Sequence, residues 1–162
     1  MNGFTPGLLD RLMDERRDVA PGTPVSMEGF KDSVARDLEA LLNTRIAIDP
    51  FHLAGYPHAR ASLLHYGLVD FAGFCLTSSS DRDAVCASIE AAIAAHEPRL
   101  SEVRAVLEAG AGDVNRLQFA IHARLALGGQ RETINFNAVL QPSSLHYDIN
   151  RSVRPAKSRD TT

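Results

Sequence analysis

The chain contains no tryptophan, and its ten aromatic residues are seven phenylalanines and three tyrosines. Most of these fall at core-like positions, which leaves little for the aromatic walls that sugar-cleaving sites use. Cysteine is equally scarce. Cys75 and Cys86 are the only two, too few for a disulfide framework, and neither has the close Cys or His neighbours of a zinc motif. They read as small buried apolar groups of a reducing compartment. No apolar run approaches the ~20 residues of a membrane-spanning helix. The opening "MNGFTPGLLDRLMDERRD" lacks the basic start and unbroken apolar stretch of a secretory signal. A cytoplasmic location is therefore expected. Catalytic signatures are missing too: no Gly-x-Ser-x-Gly elbow, no phosphate-binding glycine loop and no His-Glu-x-x-His. The six histidines (52, 58, 65, 96, 122 and 146) are scattered, without helical i, i+4 pairs to aim two at a metal. No metal or other cofactor is expected.

What remains is an ordinary globular composition, 44% apolar and 23% charged. The length of 162 residues suits one domain, assigned to 1–150. The net charge of −3 is unevenly spread. Residues 151–162 carry four positive charges (Arg151, Arg154, Lys157, Arg159) against Asp160, so the first 150 residues sum to −6. Four charges interleaved with Ser, Pro and Ala are a weak footprint for nucleic acid. A solvated, disordered tail is expected, with no nucleic-acid partner.

The periodicity is helical in the first part and alternating in the second. Thr5 and Pro6 suit the start of a helix carrying Leu8, Leu9, Leu12 and Met13 on one stripe. After the loop "VAPGTPV", Ser26 caps a longer helix with Phe30, Val34, Leu38, Leu41 and Leu42 on one face. Lys31, Asp32, Arg36, Asp37 and Glu39 take the other. Residues 45–60, with Pro50, Gly55 and Pro57, read as loop. A third helix runs through "SSSDRDAVCASIEAAIAAH", with Ser80 as its expected cap and Asp83 completing the box. It ends by His96, because Pro98 disfavours helical geometry at Glu97.

From there the period is two. Val103, Ala105 and Leu107 alternate in the first run; Leu117, Phe119, Ile121, Ala123, Leu125 and Leu127 in the second; Ile134, Phe136, Ala138 and Leu140 in the third. Short turns between them favour an antiparallel meander, and "LHYDI" offers a fourth strand. The expected class is α+β, with N-terminal helices packed on one face of a three- to four-stranded antiparallel sheet.

The joint between helix and sheet, "AAHEPRLSEV", carries the best functional clue. Pro98 fixes the backbone, Glu97 points from the helix end, and Arg99 offers a planar fork to a partner. Both charges are expected to be mostly exposed, so substitution should change stability by no more than ~1 kcal/mol. Glu90, Glu97, Glu102 and Glu108 lie close to this joint in sequence. Abundant acids alone do not make the convergent pair of a glycosidase.

Four motifs stand in order: "LLDRL" near the start, "RDLEALLNTR" at 36–45, "SLLHYGLVDFAG" at 62–73 and "EPRL" at 97–100. In order and spacing the chain resembles the type VI secretion baseplate subunits TssE, of the phage lysozyme-like baseplate wedge family, over about residues 5–140. Ala40 replaces a frequent Trp, and His65 and Val69 replace Asn and Pro, while Tyr66-Gly67-Leu68 and Asp70-Phe71 are retained. The resemblance implies a structural role without catalysis, linking the wedge to the first sheath ring and templating sheath polymerisation. It implies that Glu97, Pro98 and Arg99 dock onto the wedge subunits TssF and TssG, and that the sheet exchanges strands with the sheath subunits TssB and TssC. A bare sheet edge suits such exchange. The strand at 132–140, last of the three clear runs and faced by Thr133, Asn135 and Asn137, is the expected acceptor; the competing arrangement has "LHYDI" covering it. The family's inherited label leaves a peptidoglycan-cleaving enzyme as the alternative.

Overall fold

The computed structural model describes Phe4, Leu12, residues 25–71, 78–108, 117–127, 129–141 and 144–151. Apart from Leu12, which is exposed, the first expected helix lies outside these residues, as do the basic tail beyond Arg151 and Cys75. Helix α1 spans Met27–Asn43. Its start is set by Ser26, whose Oγ accepts the Gly29 N–H at 3.1 Å, satisfying one of the four orphan donors of a helix N-terminus. Val34, Leu38, Leu41 and Leu42 are its buried stripe. The segment read as loop instead forms a 3₁₀ turn at Pro50–Leu53 and the short helix α2 at Pro57–Arg60, and a second 3₁₀ turn follows at Leu63–His65. Prolines at first helical positions and local caps from Asp49 and Ser62 explain these turns, which carry no apolar periodicity to announce them.

Helix α3 spans Ser79–His96 and buries Val85, Ile89, Ala92 and Ile93. Its cap position falls to Ser78, two residues before the expected Ser80. The two serine hydroxyls pair with each other at 2.7 Å, so Ser80 is drawn into the first turn.

The sheet is antiparallel and follows chain order: β1 (Leu100–Glu108), β2 (Leu117–Leu127), β3 (Gln130–Gln141) and β4 (His146–Arg151). Strands β2 and β3 pair without interruption from Leu117↔Leu140 to Leu127↔Gln130, and Gly129 supplies the positive φ of 93° that their tight turn needs. The alternation works as read: Val103, Ala105, Phe119, Ile121, Ala123, Leu125, Ile134, Phe136, Ala138 and Leu140 are buried against α1 and α3. The class is α+β, with helices on one face of a four-stranded antiparallel sheet.

One expectation is corrected. Strand β3 is an edge only over residues 130–135: β4 lies along the rest, pairing Phe136↔Arg151 through Gln141↔His146, with Asn137 opposite Asn150. Tyr147 and Ile149 are buried apolar positions, so the hydrophobic drive to seat them brings β4 onto β3. Of the three expected acceptor residues, Asn137 lies within the paired stretch, and Thr133 and Asn135 lie just before it. The outer edges of the described sheet are β1 on one side and, on the other, β4 with residues 130–135 of β3.

Tyr147 is fully buried, and its hydroxyl has no hydrogen-bond partner among the described residues. Burial pushes its pKa up to about 12. Tyr147→Phe should raise stability by about 1 kcal/mol at neutral pH, since it deletes an unpaired buried hydroxyl. An unfolded tyrosine ionises near pH 10. Above that pH the native state holds the extra proton, and stability falls as pH rises from about 10 to about 12. Urea titrations at pH 7 and pH 11 should show this alkaline loss to be smaller in the phenylalanine variant; an equal loss would place the hydroxyl in water.

Candidate functional site

Three of the four quoted motifs converge at the helix–sheet joint. Helix α3 stops at His96, Glu97 caps it by donating its N–H to the Ile93 carbonyl at 2.8 Å, and Leu100 N–H closes the turn on the Glu97 carbonyl at 3.1 Å. Pro98 stands exposed at the tip. The Arg99 carbonyl already accepts from Ala126 N–H at 2.9 Å, tying the corner to the end of β2.

The side chains then turn inward, against expectation. Glu97 is 6% exposed and is one of two buried polar residues in the described core. Its carboxylate accepts Arg99 Nε at 2.6 Å and the Arg99 backbone N–H at 3.2 Å through Oε1, while Oε2 takes Nη2. This is a bidentate fork within one turn. The same Nη2 reaches Asp37 Oδ2 of α1 at 2.6 Å, and the guanidinium sits 5.9 Å from the Phe30 ring centroid. Burial draws the Arg99 pKa down, but the hydrogen bonds it donates to Glu97 and then Asp37 more than offset that and raise it above its ordinary value. The charges are thus a brace between α1 and the joint. Nothing in the one-dimensional pattern separates a buried Glu from an exposed one; the only signal was Pro98, which stops the helix where its last carboxylate must turn.

Arg99 keeps some outward character. Its side chain is 24% exposed, and the three hydrogen bonds it donates from the side chain use Nε and Nη2, leaving Nη1 without a partner among the described residues. The "HYGL" segment flanks the corner. His96 Nε2 lies 3.0 Å from the His65 carbonyl, and the Tyr66 ring meets His96 edge-on at 5.2 Å. Burial raises the Tyr66 pKa, with Asp37 and Glu97 adding to it. Burial also lowers that of His65, helped by Arg60 and His96. Gly67 then lets the chain cross Thr44, where Leu68 donates its N–H to the Thr44 carbonyl at 2.9 Å and its carbonyl accepts the Ile46 N–H at 2.9 Å.

This geometry coincides with the family comparison. The profile of the baseplate wedge protein gp25 family matches residues 28–129, well over half of the chain, and spans α1, the crossing at Gly67, α3 and the corner. The chain belongs to that family. Membership places it among structural baseplate components of contractile tails. No curated protein matches the chain.

Other sequence candidates are spread out. Glu90 accepts the Ala105 N–H at 2.9 Å, and Glu102 pairs with Arg124 and Arg131 on the outer sheet face. These acids therefore have separate partners from Glu97. His122 Nδ1 meets Asn135 Oδ1 at 2.7 Å on that same face. Among the described residues no three His, Cys, Asp or Glu side chains are grouped to hold a metal ion, and no helix is long and apolar enough to cross a membrane.

Proposed function

We propose that this chain is the TssE-type subunit of a type VI secretion baseplate, acting in the cytoplasm without catalysis. It links the wedge subunits TssF and TssG to the first sheath ring, and its sheet templates polymerisation of TssB and TssC by strand addition. The observation that carries the reading is the corner itself: an exposed proline tip beside a partly exposed arginine that Glu97 and Asp37 lock in place. A corner ordered in advance loses little entropy on docking. Phe51, Tyr56, Leu63 and Leu64 stand at least half exposed in the adjoining segment and add apolar area for the same contact.

The test is capture of TssF–TssG by the full chain. Pro98→Asp changes an exposed tip without touching the brace, so Tm should stay within a few degrees of wild type. Capture should nonetheless fall at least about tenfold, as for a substitution at the centre of an interface. Undiminished capture by this folded variant would remove the corner from the wedge contact.

A further inference from the structure

The two outer edges of the sheet are closed in different ways. On β4, both main-chain groups of Tyr147 are taken by one side chain of α1: its N–H donates to Asn43 Oδ1 at 2.8 Å, and its carbonyl accepts Asn43 Nδ2 at 2.8 Å. Ile149 N–H donates to Glu39 Oε2 at 3.0 Å, and Arg45 Nη2 reaches the Leu145 carbonyl at 2.6 Å. Arg151 is clamped by Glu28 and Asp32. Side chains thus do on this edge what a further strand would do.

On β1 a side chain holds an outward N–H but no outward carbonyl among the described residues. Ala105 N–H points outward to Glu90 Oε1 at 2.9 Å. Among the described residues no side chain donates to the outward carbonyls of Ala105 or Leu107. Outward groups fall on alternate residues of an edge strand, so Glu90 occupies one of the donor positions that an incoming strand would use. Between α3 and this edge runs an open groove of about 570 Å³, lined by Arg82, Asp83, Cys86, Glu90, Ala105 and Leu107 among others. Val106, on the outer face at the same height, is 52% exposed. Lysine or proline, which blunt edges, are absent from Leu100–Glu108.

We infer that the β1 edge is a latched strand-accepting groove, in which Glu90 stands in for the carbonyl of an incoming strand and is displaced by it. This rests on the strand-addition reading and assigns its location. The occupant is an extended segment of a partner chain. Its core-side residues must be small, because Cys86 and Ala87 wall the groove. Its outward residues face Arg104, Val106 and Glu108, calling for an acid, an apolar residue and a base in register. A folded second copy of this chain would carry its own α3 along the same edge, which favours a bare segment instead.

The probe is a short synthetic peptide alternating alanine with Lys, Val and Glu, in that order, which places opposite charges against Glu108 and Arg104 in antiparallel pairing. Added to the full chain, it should slow amide exchange at Ala105 and Leu107 and leave Tyr147 and Ile149 unchanged. Glu90→Ala removes the competing carboxylate and should tighten binding by roughly tenfold. Glu108→Lys lies on the exposed face, away from the core, and should shift preference about two- to fivefold toward a peptide with Lys and Glu exchanged. No protection on β1, or self-association in place of peptide binding, would overturn the inference. The sheath pair TssB–TssC separates the two levels. Protection by it at Tyr147 and Ile149 would refute the β1 groove while keeping strand addition, whereas protection of no sheet amide would refute both.

Discussion

Replacing Glu97 by alanine is expected to lower stability by about 2–4 kcal/mol and Tm by roughly 5–15 °C. The carboxylate is almost fully buried and holds Arg99 through a two-atom fork. Its removal leaves a guanidinium at the core margin with only Asp37 to compensate. Breaking a buried pair costs ~3–5 kcal/mol; Arg99 is a quarter exposed, so water recovers part of that. Glu97→Gln keeps an acceptor and should cost less, about 1–2 kcal/mol. Arg99→Lys keeps the charge but cannot fork, and belongs between them. Asp37 is 27% exposed, and Asp37→Ala should cost about 1 kcal/mol or less. Chemical denaturation of the four variants gives the order directly. A change under about 1 kcal/mol for Glu97→Ala would restore the reading of a solvated turn.

Gly67→Ala is expected to be as damaging, by about 3 kcal/mol or more. Gly67 has a φ of +115°, and a Cβ built there would lie 2.5 Å from the Thr44 carbonyl oxygen and 2.8 Å from its carbon. The backbone region alone disfavours any L side chain by ~1–3 kcal/mol, and the contact is with main chain that has nowhere to go. Thr44 is held there by Leu68 N–H at 2.9 Å, next to the fully buried Leu68 side chain. Moving it would loosen the crossing that positions Tyr66 against His96. Gly55 is the internal control: a Cβ there meets nothing within 4 Å, so Gly55→Ala should be neutral or stabilising by a few tenths of a kcal/mol. Urea midpoints of the two variants should therefore move apart. Coincident midpoints would show that the Gly67 crossing relaxes at no cost.

The sequence by itself determined the order and type of the main elements. Apolar residues at helical spacing in α1 and α3, then at alternate positions in β1, β2 and β3, leave one arrangement that buries them all, helices over one face of an antiparallel sheet. It also marked the corner, because proline cannot continue a helix. The motifs "RDLEALLNTR", "HYGL" and "EPRL" were legible as a family resemblance, and the profile match over residues 28–129 bears it out. What only the tertiary structure decided are partnerships between residues far apart in sequence. Asp37 and Arg99 are 62 positions apart, and Glu39 and Ile149 are 110 apart. A charged residue looks the same in sequence whether it faces water or braces a joint. Residues 45–60 looked like loop because short helical turns rest on caps and prolines, with no repeating apolar pattern. The edge of the sheet was misplaced for a similar reason. Whether residues 136–141 of β3 are bare depends on "LHYDI" returning to them, and that return is driven by burying Tyr147 and Ile149 in a core assembled from all the other elements.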